Sequence, residues 1–289
     1  MNMHLSKLII IPLLALVGIV LLVCYVFGYP EYSYLLIPLI IAVAVVYVIH
    51  PEIDRWYLNR YPQKLPKGMV RFINDHMPLY ACLSPEQRSA FDSRVSTYMK
   101  TANFMPQGFD KVPEDLKAVV AISAFMLTAF RPDWHSRFDD FQNIVIYRHP
   151  FPTPQFPNDL HTSELYVQDH VLIFSGDHFM KAFRYPQEYF NSAMYEWSKV
   201  VMLKDMPELK VEVDKLAEIS GFKNEDIVEY IGLPESYINW DAVAITYFFI
   251  FPVRYKMYSS TSYDAMAEYF GIDPMTALGA ADQQQSLEV

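Results

Sequence analysis

A chain of 289 residues, 52% hydrophobic and 16% aromatic with a net charge of −10, has room for one ordinary domain plus appendages. The acidic balance and the lack of a basic stripe exclude broad nucleic-acid binding. Two cysteines, Cys24 and Cys82, make neither a disulfide framework nor a zinc cluster.

The hydrophobic excess is concentrated at the N-terminus. Leu8–Phe27 is an almost uninterrupted apolar run without charge, long enough to cross the roughly 30 Å of a bilayer's hydrocarbon. Gly28-Tyr29-Pro30-Glu31 predicts a turn, and Tyr32–Ile49 is a second uncharged apolar run. Residues 1–50 therefore read as a transmembrane helical hairpin with spans at 8–27 and 32–49. A cleavable signal peptide is the competing reading, but the first run exceeds the usual apolar length and no small-x-small site precedes Gly28. Lys7 lies before the first span, Arg55, Arg60, Lys64 and Lys67 after the second, and none in the turn. That asymmetry predicts a multi-pass membrane protein with both termini and the large domain in the cytoplasm. The lipid bilayer is thus an expected partner, with the basic cluster against anionic headgroups.

Residues 51–80 read as a membrane-proximal linker, residues 81–276 as a folded domain and 277–289 as a flexible tail. Ser84 and Pro85 open a helix running to about Lys100, the serine as cap and the proline as first residue. Pro113–Phe130 is a second helix with Val119, Ile122, Phe125, Met126 and Phe130 inward. Asn143–Tyr147 and His170–Phe174 are short β-branched or apolar strands, separated by the Pro-rich loop Pro150–Pro157. Gln187–Met202 has apolar residues at helical spacing. One or two short helices follow, including Asp226–Ile231, then the very apolar Ala242–Phe251 and a last helix Ser262–Phe270. Strands and helices segregate along the chain, which predicts the α+β class.

Chemistry is concentrated in Tyr195-Glu196-Trp197-Ser198-Lys199. On a helix, positions i and i+4 share a face. This is the frame of H-E-x-x-H, in which two histidines hold zinc and the glutamate activates water; here the glutamate stands and both histidines are replaced. Glu196 and Lys199 are spaced to pair on one helix face. Tyr195 and Lys199 also spell the Y-x-x-x-K pair of short-chain dehydrogenases, but that chemistry needs a Gly-rich phosphate loop, and the nine glycines are scattered. His161, Asp169, His170, Asp177 and His178 form the densest group of metal-ligand types; caps and solvated loops account for them. Ser163 and Ser175 lack a nucleophile elbow, and Cys82 has no evident base.

The frame Asn191-Ser192-Ala193-Met194-Tyr195-Glu196-Trp197-Ser198-Lys199 and its flanks resemble the Mlc titration factor A family, the glucose-regulated metallopeptidases of bacteria, whose metal helix reads N-x-x-x-H-E-x-A-H. Leu83-Ser84-Pro85-Glu86-Gln87-Arg88, Phe141–Phe151, Asp241–Pro252 and Tyr269-Phe270-Gly271-Ile272-Asp273-Pro274 are similar to further family segments, in the family's order, over roughly residues 80 to 275. The resemblance implies a zincin-like metallopeptidase domain. It also implies where the chain departs: the family's ligand positions fall on Tyr195, Lys199 and Thr246, and a further site histidine on Gln142. Only Glu196, the position of the general base, survives. A lysine ammonium has no free lone pair and carries the charge the metal would carry. The expectation is therefore a degenerate, zinc-free member with no cofactor and a vestigial Glu196, in which Lys199 replaces the metal's charge and Tyr195 fills the cage. Because the resembled family is linked to a glucose-responsive repressor and sugar uptake, the implied role is regulatory or scaffolding, with a cytoplasmic regulator protein or peptide as partner. Two alternatives stand beside it: an active zinc-dependent peptidase recruiting His170 and His178 with Glu196, and a structural module whose old cleft is filled.

Overall fold

The computed structural model describes residues 5–279 except 62, 63, 135, 205, 207 and 210, with the backbone alone at residue 59. The chain divides between Gln63 and Lys64 into two compact units.

In the first unit, α1 (Leu5–Tyr25) and α2 (Leu36–Val48) pack along one another, joined through a tight 3-10 turn at Pro30–Leu35. Leu5–Tyr25 and Pro30–Val48 are long and apolar enough to cross a membrane. Their large side chains point outward, Ile11, Ile19 and Ile37 among them, as in helices apolar all round. α3 (His50–Arg60) follows at once and packs on α1. Its buried Asp54 accepts from the backbone N–H of Ser6 at 2.9 Å and from the Ser6 hydroxyl at 2.8 Å. A first-turn amide of α1, left without an intrahelical partner, is thereby satisfied.

The second unit opens with α4 (Lys67–His76), whose Ile73 is fully buried while Met69, Val70 and Phe72 pack against the core. The stretch expected to be a linker is therefore divided: α3 belongs to the first unit, and α4 with the buried Leu79 and Tyr80 to the second. The apolar spacing in Met69–Ile73 packs that segment against the core. α5 (Pro85–Thr101) begins with a capping box in which Ser84 Oγ accepts from Gln87 N–H while the Gln87 side chain accepts from Ser84 N–H. β1 (Asn103–Gln107), α6 (Glu114–Leu127), β2 (Asn143–Tyr147), β3 (Ser163–Tyr166) and β4 (Val171–Ser175) come next. Then follow α7 (Gly176–Arg184), α8 (Ser192–Met202), α9 (Val213–Ser220), α10 (Asn224–Ile231), α11 (Trp240–Ile250), α12 (Pro252–Tyr258) and α13 (Ser260–Phe270).

The sheet has the order β1-β2-β4-β3, with β1, β2 and β4 parallel and β3 antiparallel at one edge. Ile144, Ile146, Leu172 and Phe174 are fully buried on its inner face; α6 is buried almost throughout and packs with α8, and α8 also meets β3 and β4. The architecture is thus a helical domain around a small mixed sheet.

Several boundaries differ from expectation for local reasons. β1 carries Pro106, tolerated because the strand is at the other edge of the sheet, and β3 is only four residues long. β4 starts one residue late because His170 takes a left-handed conformation with φ 52°. Asp177 and His178, expected in a turn, open α7. α8 starts at Ser192, not Gln187, because the Asn191 side chain caps it. Residues 277–279 of the expected tail are helical; the rest of it lies outside the described residues.

Candidate functional site

α8 is held at both ends. Asn191 Oδ1 accepts from Met194 N–H at 2.9 Å. Beyond its last turn, the Arg137 guanidinium donates to Val201 O at 2.9 Å, to Lys204 O and to Tyr269 Oη at 2.7 Å, which places a cation against the negative end of the helix. The middle of α8 is buried, including Trp197.

Glu196, 1% exposed, is held by two groups. Its Oε1 accepts from the Ser163 hydroxyl of β3 at 2.8 Å, and its Oε2 lies 2.8 Å from Lys199 Nζ. The ammonium also sits 5.2 Å from the centre of the Tyr195 ring, within reach of its negative face. Tyr195 is itself buried, and its Oη accepts from Asn239 N–H at 3.0 Å. Burial first, and the Glu196 charge second, hold this phenol well above the ordinary tyrosine range, so it stays neutral.

The structure therefore gathers Tyr195, Glu196 and Lys199, with Ser163 as a fourth member. Thr246 is buried on α11, the helix packed against α8, and donates to Ala242 O at 2.9 Å within its own helix. Gln142 Nε2 donates to Phe138 O at 3.2 Å and makes no hydrogen bond to α8 among the described residues. His178 and His170 do not converge on Glu196: His178 Nδ1 lies 3.0 Å from Ser175 Oγ, and His170 stands edge-on to Phe141 at 5.1 Å. Burial, then the charge of Lys181, lowers the His178 pKa. His149 pairs with Asp177 at 3.0 Å in the open.

These side chains do not fit zinc. The metal would have to displace an ammonium already on the carboxylate, and the phenol beside it is neutral and committed to a backbone amide. Among the described residues, no three His, Cys, Asp or Glu side chains are grouped as a metal would need.

A second buried pair was not singled out by sequence. His161 is fully buried between Phe151 and Phe156. Its Nδ1 lies 2.9 Å from Asp159 O and its Nε2 3.1 Å from Glu164 Oε2. A carbonyl can only accept, so Nδ1 carries a proton. Burial works to raise the Glu164 pKa. Hydrogen bonds from His161 and Thr153 and the charges of His161 and Lys199 outweigh it and hold the carboxyl below its usual value. The remaining ring nitrogen, Nε2, is the one that faces the Glu164 carboxyl. The only signal in the chain was H-x-x-E spacing beside a strand too short to recognise. Ser163 and Glu164 are neighbours on β3 and so point to opposite faces: Ser163 inward to Glu196, Glu164 outward into a cleft of about 720 Å³.

The fold and this site define a two-part protein: a pair of helices apolar enough to span a membrane, then a mixed α and β domain whose core helix carries a glutamate–lysine ion pair. Residues 53–177, less than half of the chain, match the family described as glucose-regulated metallo-peptidase M90, the Mlc titration factor A family that the sequence resembles. The matched segment takes in Leu83–Arg88 and Phe141–Phe151 and ends before α8. No curated protein matches the chain.

Proposed function

We propose that this protein is a membrane-anchored, cytoplasm-facing member of the metallopeptidase family that has lost its zinc site and acts as a regulatory or scaffolding binding protein. The observation that carries the reading is the Lys199 ammonium seated on Glu196 at 2.8 Å. A cation supplied by the chain stands where the family's frame would hold the metal, and zinc requires neutral imidazole, thiolate or carboxylate donors. An antiparallel edge strand, β3, lying against the glutamate-bearing helix α8 supports a zincin-like plan. The two apolar helices and the basic residues after them support the inner-membrane location. The partner in this reading is a cytoplasmic regulator protein or peptide.

The test is the metal content of the full chain, purified in detergent without affinity metals. The expected result is less than about a tenth of an equivalent of zinc. Stoichiometric zinc that disappears in Glu196→Gln would overturn the reading and restore a peptidase. If that zinc also disappears in His170→Ala or His178→Ala, the non-standard ligand set is the one in use.

A further inference from the structure

The outer face of the sheet, opposite α8, carries the cleft of about 720 Å³, within the size range of sites that enclose small ligands or single side chains. Its floor is Ile173 and Val171 of β4 with Glu164 and Tyr166 of β3, the cross-strand pairs of the register. Tyr147 closes one end, and the loop Pro152–Gln155 makes a wall. Asp169 lies on the lining, and none of the lining residues is Lys, Arg or His.

This combination selects a ligand class. Ile173, Val171 and the prolines offer a path for a hydrocarbon stem, and Tyr147 and Tyr166 offer ring faces. The lining carries two carboxylates, Glu164 beside Ile173 and Asp169 in the turn beyond Tyr166 and Val171. Against its burial, hydrogen bonds from His161 and Thr153 hold the Glu164 carboxyl below its usual value, and these two contacts leave acceptor positions free on a carboxylate that has about four. Asp169 is exposed and makes no ion pair among the described residues. The titratable groups facing the cleft are thus Glu164 and Asp169, with His161 and Lys199 behind Glu164.

We propose that this outer cleft binds an organic cation, a guanidinium or ammonium on a hydrocarbon stem, with the head at Asp169 and the stem running over Val171 and Ile173 toward Glu164. The inference goes beyond the zinc-free reading and does not depend on it, because the cleft and the Glu196–Lys199 pair lie on opposite faces of β3. The same chemistry has two sources, a free amine or an arginine side chain carried on a peptide.

The test is calorimetric titration of the full chain in detergent with agmatine, with the tripeptide Ala-Arg-Ala, and with its neutral counterpart Ala-citrulline-Ala. Saturable binding of either cation, weakened about tenfold or more when charge is lost, a difference of about 1.4 kcal/mol, is the expected result. The weakening should be seen both with the citrulline peptide and in Asp169→Asn. Asp169 is exposed, so that variant keeps its fold; Glu164→Gln, read only if its melting transition is intact, should act in the same direction. Tighter binding of the peptide assigns the site to a peptide-borne side chain, and tighter binding of agmatine to a free amine; both support the site. No saturable binding of either cation, or binding equal for citrulline and unchanged in Asp169→Asn, overturns it. Zinc content measured on the same preparation keeps the two readings separable, since either can fail while the other stands.

Discussion

Lys199 and Glu196 are unequal partners, and their inequality is measurable. Glu196 is sealed, whereas the Lys199 side chain keeps 21% exposure and can swing its charge to water. Lys199→Met should therefore destabilise more than Glu196→Gln, by about 2–4 kcal/mol, at or below the range for breaking a fully buried pair. The double variant should cost less than the sum of the two. A double-mutant cycle by urea melts checks this, and simple additivity would sink the ion-pair account. This pair was legible in the chain because i and i+3 on a helix is a local relation. The His161–Glu164 pair and the cleft it serves were not, because they depend on the strand register and on a loop folding over it. Asp273 is a third residue-scale case. It accepts from Tyr263 Oη at 2.5 Å, Thr276 Oγ1 at 2.9 Å, Lys256 Nζ at 3.2 Å and the amides of Met275 and Thr276. Burial opposes ionisation, but the bonds from Tyr263, Thr276 and Lys256 win and hold the carboxyl far below its ordinary 3.8. A depressed folded pKa gives stability that is complete above the unfolded value and lost as pH falls through the folded one. Between pH 6 and pH 3, wild type should lose more stability than Asp273→Asn, by about 1 kcal/mol after allowance for solvent screening. Equal losses in denaturant melts would refute that assignment.

At the scale of elements, the helices were more legible than the strands. α5 was readable from Ser84-Pro85 and α11 from its apolar run, since capping chemistry and periodicity are written in adjacent residues. β1 and β3 were not readable: β1 has no β-branched residue and carries Pro106, and β3, with four residues, holds too little alternation. Yet β3 positions both buried pairs, and what positions β3 is the end of α10. Thr162 N–H donates to Ile231 O at 2.8 Å and its hydroxyl to Tyr230 O at 3.1 Å. Gly232 then turns away at φ +82°, where an added Cβ would stand 2.2 Å from Leu160 O. Gly221 ends α9 at φ +86°, but there the nearest neighbour is the flexible end of Arg254 at 3.6 Å. Alanine at Gly221 should cost about 1 kcal/mol for the left-handed backbone alone. Alanine at Gly232 should cost at least twice as much and displace the Leu160–His161 backbone. Thermal melts of both variants, with the His161 ring resonances followed by NMR, test this; equal costs would remove α10 as the support of β3.

For the whole molecule, the division at Gln63 and Lys64 separates two kinds of stability. The second unit closes its own core, from Leu65 to Ile272, around α6, α8 and α11, and its burial needs no lipid. The first unit leaves most of its apolar surface outward, with residues such as Ile11 and Ile37 more than half exposed, on helices long and apolar enough to cross a membrane. One internal lock, Asp54 on Ser6, satisfies a backbone donor that the helix itself leaves without a partner. A chain starting at Lys64 should then stay soluble without detergent and unfold in one cooperative transition, while the full chain should resist alkaline extraction from membranes. Asp54→Ala should leave the melting transition of the second unit unchanged and increase proteolysis near Ser6. Aggregation of the shortened chain, or release of the full chain by alkali, would show that the two units do not divide the work of burial in this way.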